Sequence, residues 1–206
     1  MKCKIFLFLI FFICCSNNHI IQRAASDYFP LVEGNWWRYV SSDDTLLIEV
    51  EPLDTILQTE CFPVNAGGYV RYLTKDDKSI SEYINIAYNF AGETYTIIEN
   101  FIVRIERPLV EGNTYEDSLV DSLNLFGQWI KAKYHISGEI SEYEYRNDFY
   151  EGDVYKLEIS TTETLISPDT TITINNYVEE YYAPDIGLVQ FVTEEDEYNI
   201  IGYHLN

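Results

Sequence analysis

Positive charge is scarce in this chain: 13 Lys and Arg stand against 34 Asp and Glu, a net charge of −21 over 206 residues. Affinity for nucleic acids comes mostly from basic side chains on phosphates, so no nucleic-acid partner is expected. A surface this acidic serves solubility outside the cell. Cysteine is scarce too. Cys3, Cys14, Cys15 and Cys61 are too few and too bunched for a disulfide framework. Histidine is limited to His19, His135 and His204, and no HExxH, paired CxxC or GxSxG occurs. Zinc needs three or four converging ligands, so neither a metal nor a cofactor is expected, and the chain reads as a non-enzyme. The acidic runs Asp43-Asp44 and Glu194-Glu195-Asp196-Glu197 lack the spaced pattern that wraps Ca²⁺ and read as solvated hairpin tips. No apolar run reaches the roughly 20 residues of a spanning helix.

The one apolar run is short and lies at the start. Lys2 and Lys4 precede Ile5–Ile13, and Cys14, Cys15 and Ser16 follow. A basic start, about ten apolar residues and a small-residue end describe a secretory signal. The Ile13-Cys14-Cys15 ending resembles a bacterial lipobox, where the chain is cut before an invariant cysteine that is then acylated. That resemblance implies a lipid anchor (palmitate or similar) on Cys15, with Cys14 as the alternative. It also implies an extracytoplasmic place on the cell envelope, at the outer membrane if the host has one. Residues 1–15 thus read as signal peptide, 16–27 as a flexible tether and 28–206 as a single β domain. With Cys15 acylated, Cys61 is the only free thiol; with Cys14 acylated, Cys15 could pair with Cys61, though tether cysteines seldom sit at bonding geometry. No motif around Cys61 suggests a nucleophile.

Beyond the tether the pattern is β. Hydrophobic residues make up 47% and aromatics 16%, which argues against disorder. From Ser79 to Asn89, Ile80, Ile84, Ile86 and Tyr88 alternate with Ser81, Tyr83, Asn85 and Ala87, the period of a half-buried strand. Similar runs recur, separated by turn residues such as Gly67-Gly68, Ala91-Gly92, Ser137-Gly138 and Ser167-Pro168-Asp169. Links this short leave little room for crossovers, so pairing should be antiparallel. Asp117–Phe126 reads either as a short helix or as another strand. The expected fold is all-β: a curved antiparallel sheet of about ten strands, forming a half-barrel or open barrel, with at most one short helix.

Pro30-Leu31-Val32-Glu33-Gly34-Asn35 recurs letter for letter as Pro108-Leu109-Val110-Glu111-Gly112-Asn113. The flanks differ, so this reads as one turn used twice, with Gly-Asn supplying the positive φ that starts a strand. The stretch Tyr28–Tyr39 resembles the opening signature of a broad group of uncharacterised bacterial secreted proteins and lipoproteins. Residues 108–113 resemble that group's mid-chain Pro-Leu…Gly segment, and Tyr182-Ala183-Pro184-Asp185-Ile186-Gly187-Leu188-Val189 its closing stretch. Asp185 stands where the group has glycine, and Pro184-Asp185 suits a type I turn. The resemblance implies no activity. By analogy of layout alone it points to curved-sheet carrier lipoproteins of the envelope. Pro30, Gly34, Asn35, Pro108, Gly112, Asn113, Pro184 and Gly187 are expected to be structural turn residues.

Tyrosine carries the binding argument. Tyr143 and Tyr145 alternate with glutamates and share a face, and Tyr155 and Tyr181 lie in neighbouring runs, so these four form a candidate ligand wall. The expected function is a membrane-anchored binding module that carries an apolar or acyl ligand in the sheet's interior. The alternative is a surface adhesion or sugar-binding module. A hydrolase without a recognisable motif comes third.

Overall fold

A computed structural model describes residues 26–206. The signal, Cys14, Cys15 and the tether up to residue 25 lie outside the described residues. The fold is all-β, with no helix among the described residues. Its thirteen strands are β1 (Trp36–Val40), β2 (Thr45–Val50), β3 (Asp54–Ile56), β4 (Thr59–Ala66), β5 (Tyr69–Lys75), β6 (Ser79–Phe90), β7 (Glu93–Glu106), β8 (Thr114–Leu125), β9 (Gln128–Arg146), β10 (Glu151–Ile166), β11 (Thr171–Ala183), β12 (Gly187–Val192) and β13 (Glu197–His204). They form one antiparallel sheet in the order β7-β6-β5-β4-β2-β1-β13-β12-β11-β10-β9-β8, with β3 paired only to β4. The sheet curls until its end strands β7 and β8 pack together. There the Val103 N–H donates to Asp117 Oδ2 at 2.9 Å. The result is a nearly closed barrel.

The strands β3, β4 and β8 raise the count above ten, while one expected turn proves to lie inside a strand. Asp117–Phe126 is not helical: residues 114–125 run as β8, paired along their whole length with β9. The Asp and Ser of this stretch suit a strand with one wet face better than a helix interior. Short strands β3 and β4 were masked in the sequence by Pro63 and the brevity of β3. Ser137-Gly138, expected as a turn, lies in the middle of the 19-residue strand β9. Gly138 faces Tyr115 across the ladder, and a Cβ on it would sit 2.2 Å from the ring. The aromatic ring covers the glycine, so here glycine makes room for packing and does not bend the chain.

Three buried clusters fill the structure. The first, around Phe29, Ile105, Ile136, Leu157 and Tyr182, lies inside the barrel. The second joins Trp37, Tyr39, Tyr145, Tyr181 and Ile200. The third, with Ile86, Ile98 and Ile130, lies near the β6–β7 and β8–β9 turns. Among the described residues one continuous sheet carries all three clusters, the self-contained core that a folding unit needs.

Candidate binding surfaces

The repeated hexapeptide builds the same corner twice. Gly34 and Gly112 take φ of +82° and +79°. Each Asn N–H closes a turn onto the valine three residues back, at 3.0 Å in Asn35 and 3.1 Å in Asn113. Each glycine N–H then donates to a strand carbonyl, Val50 O or Ile140 O, and that residue's N–H returns to the asparagine carbonyl. The corner therefore starts β1 against β2 and β8 against β9 in one register. The copies differ in use: Asn35 is buried and bonds Pro30 O and the Asn206 N–H, while Asn113 is exposed.

The opening and closing motifs meet. Trp37 Nε1 donates to Ile186 O at 2.7 Å and Tyr39 Oη to Leu188 O at 2.8 Å. Gly187, at φ +93°, leaves no room for a side chain, because a Cβ would lie 3.0 Å from Pro30. Asp185 corrects the type I assignment. A type I turn needs negative φ at both central positions, and Asp185 sits at +61°. That requirement is why glycine suits this position, and aspartate is among the residues that tolerate it. Pro108 follows a cis peptide bond from Arg107.

The barrel interior holds a charge cluster. Arg71 grips Glu82 with Nε and Nη2 at 2.7 and 2.9 Å, and Arg104 bridges Glu82 and Glu180. Tyr182 Oη completes Glu180 at 2.8 Å. Burial penalises ionised Glu82, but the two guanidinium groups outweigh it and hold the carboxyl down at about 2. Glu180 is lowered in the same way, while burial raises the Tyr182 phenol. Above this cluster, among Tyr28, Phe29, Leu31 and Leu188, the enclosed space is only about 90 Å³. That is well below the roughly 300–1,000 Å³ of small-molecule pockets. On the cluster's other side a shallow cleft of about 250 Å³ opens past Tyr134 and Asn176.

The four candidate tyrosines do not form one wall. Tyr143 and Tyr145 both pack on Tyr181, with ring centroids 5.4 and 6.3 Å apart. Tyr145 and Tyr181 are buried members of the second cluster, and Tyr145 Oη donates to Asn199 Oδ1 at 3.0 Å. Only Tyr143, 50% exposed, presents a ring to solvent. Tyr155 belongs elsewhere, edge-on to Tyr28 at 5.2 Å. Alternation put Tyr155 on the opposite face from Tyr143 because they sit one row apart in the ladder.

The outer face of β8–β11 was not singled out by the sequence. Register places Ser122, Lys131, Ile166 and Thr171 in one row across the four strands, then Val120, Lys133, Thr164 and Thr173, then Ser118, His135, Thr162 and Asn175. Hydrogen bonds from Thr162 to Asn175 and between Thr164 and Thr173 confirm the shared face. Trp129, 63% exposed, extends it towards the turns. These rows contain no Asp or Glu. Among the described residues, neither Lys131 nor Lys133 makes an ion pair. Beyond these rows the same face becomes acidic, with Glu116 in the next row and Glu139, Glu158 and Glu179 in the one after, around a groove near Tyr177. Lys156 pairs with Glu158 and Glu179 at 2.6 and 2.9 Å. At the hairpin tips Phe126, 84% exposed at φ +53°, lies 5.9 Å from Phe90.

Among the described residues no three His, Cys, Asp or Glu side chains converge to hold a metal ion. His135 is exposed on β9, and His204 stacks on Trp36. Cys61 is buried, and that burial raises its thiol. No family model and no curated relative matches the chain. Among solved structures it is similar to a candidate lipoprotein from Parabacteroides distasonis, at 14% identity over 88% of this chain and 100% of that one, with a TM-score of 0.40. It is also similar to a candidate exported protein with a YmcC-like fold from Bacteroides fragilis, at 13% identity over 88% and 100%, with a TM-score of 0.27. Likeness at this level carries no argument about this chain's activity or location.

Proposed function

We propose that this protein is an envelope lipoprotein, anchored through acylated Cys15 (or Cys14), that acts by binding and not by catalysis. The working surface is the outer face of β8–β11. One observation carries the reading: in a chain of net charge −21, three successive rows of a four-strand face hold no acid and expose Lys131 and Lys133, with Trp129 beside them. Charge of one sign is cleared from a surface at a cost in solubility, and exposed aromatics beside it are typical of contact sites. The adhesion reading gains by this, and the apolar-carrier reading loses because the interior space of about 90 Å³ is too small. The strongly shifted carboxyl groups argue in the same direction. Glu82 and Glu180 are held ionised by guanidinium partners, the opposite of an acid poised near neutrality.

The test is photo-crosslinking in intact cells. A photoreactive residue at Val120 or Thr173 should trap a specific adduct, while the same residue at Leu53, on the opposite side of the sheet order, should not. Equal labelling at all three positions, or none at the face, would refute the assignment. Replacing Cys14 and Cys15 with serine should move the chain from the membrane to the soluble fraction. An acyl chain contributes about 0.8 kcal/mol per buried methylene, and nothing else in the reading replaces it.

A further inference from the structure

The outer face of β8–β11 is divided by charge along the strands. Its rows near the β8–β9 turn carry Lys131 and Lys133, and its rows near the hexapeptide corner carry Glu116 and Glu139. All four side chains are exposed on the same face. We propose that this face binds a second copy of the same chain, the two copies stacked face to face about a two-fold axis. Such an axis, lying between the two faces and perpendicular to the strands at the His135 row, turns the strands end for end. The Lys end of each copy then lies on the Glu end of the other, so the contact is made twice.

Size supports the same occupant. Four strands about 4.8 Å apart and the five rows paired across all four, about 6.7 Å apart, span roughly 640 Å², inside the roughly 600–1,000 Å² per partner of standard interfaces. The face also exposes Trp129 and Tyr177 towards its two ends, aromatic side chains of the kind that anchor interfaces. Two copies of a chain this acidic repel one another at long range. At physiological ionic strength that repulsion is screened beyond about 8 Å, whereas opposed Lys and Glu in contact are screened far less. A tether to one membrane would further raise the local concentration.

This inference rests on the outer face being the working surface, and the experiment separates the two. Residues 26–206 are studied by sedimentation equilibrium up to about 100 μM, a range that captures micromolar association. The wild-type segment should dimerise. Lys131→Glu with Lys133→Glu, and separately Glu116→Lys with Glu139→Lys, should each weaken the dimer roughly tenfold or more. Mixing the two charge-reversed chains should restore a one-to-one pair, because every contact is then again between opposite charges. All four positions are exposed and outside the three buried clusters, so thermal melts should remain close to wild type. A wild-type segment that stays monomeric throughout overturns the proposal, as does a dimer indifferent to both reversals, or a mixture that does not recover. If the chain is monomeric while Val120 crosslinks to a different protein, the self-association fails and the assignment of the face stands.

Discussion

Arg104→Met removes the cation that joins the two interior carboxylates. Glu82 keeps Arg71, bound through two nitrogens, but among the described residues Glu180 is left with the Tyr182 hydroxyl as its one other side-chain hydrogen-bond partner. Breaking a buried pair by deleting one partner typically costs about 3–5 kcal/mol, because the remaining charge is uncompensated. That is the expected loss at pH 7. The pH dependence is the sharper signature. In the wild type, Glu82 is depressed from 4.5 to about 2, which corresponds to about 3 kcal/mol of stability. That contribution is fully present above pH 4.5 and is lost as pH falls towards 2. In the variant, Glu180 loses its nearest guanidinium, so its carboxyl is held down less by Arg71 and Tyr182 alone, and the stability that its lowered carboxyl contributes above the usual carboxylate range is diminished. The gap between the two proteins should therefore narrow as pH falls below 4.5. Urea midpoints at pH 7, 4.5 and 3 would measure this, with the m-values checked for constancy. A loss below about 1 kcal/mol at pH 7, or a gap that does not change with pH, would refute the account of the cluster.

Other perturbations test the packing and the turns. Gly138→Ala should cost about 1–3 kcal/mol in denaturant melts, since the new methyl would press into the Tyr115 ring, and much of that loss should disappear in a Tyr115→Leu background. Gly34→Val and Gly112→Val should each cost on the order of 1–2 kcal/mol for the positive φ, with Gly34 the more damaging because its Cβ would also meet Asn206 Nδ2 at 2.6 Å. Equal and negligible losses at both would contradict the shared corner. Phe126→Gly should raise the melting midpoint slightly by removing a strained, exposed ring, an effect of about 0.5–1 kcal/mol that a thermal scan would detect.

Period-two patterning made the strands legible, because each pays out one buried and one wet face. It missed what breaks period two. Ile80, Ile84 and Ile86 read as an apolar face, yet the position between them, Glu82, points inward with them and anchors the interior cluster. An acid in an otherwise apolar row was the available signal for a buried ion pair, and Arg104 between Ile102 and Ile105 was its counterpart. The hexapeptide corners were legible because glycine followed by asparagine has few uses. Ser137-Gly138 misled for the same reason: local chemistry cannot show that a tyrosine from another strand will cover a glycine. The charge-divided face was hidden because its rows are assembled from four strands, and only register brings Lys131 beside Ser122 and Ile166.

The attachment of Asp27 has a mechanical consequence. Its carboxylate is held by Lys75 Nζ at 2.7 and 2.6 Å, its carbonyl accepts from the Asp185 N–H, and its own N–H donates to Asp185 Oδ1. Any tension along an anchored tether would enter the domain there. Lys75 ends β5 and Asp185 lies between β11 and β12, so the pull would be shared between two places well apart in the sheet order. A load taken up at one point would open the ladder bond by bond from its end. Shared in this way, it must strain several bonds at once. On an anchored chain Asp27 would thus serve as a strain relief, the job of the clamp that keeps a cable from being drawn out of its socket.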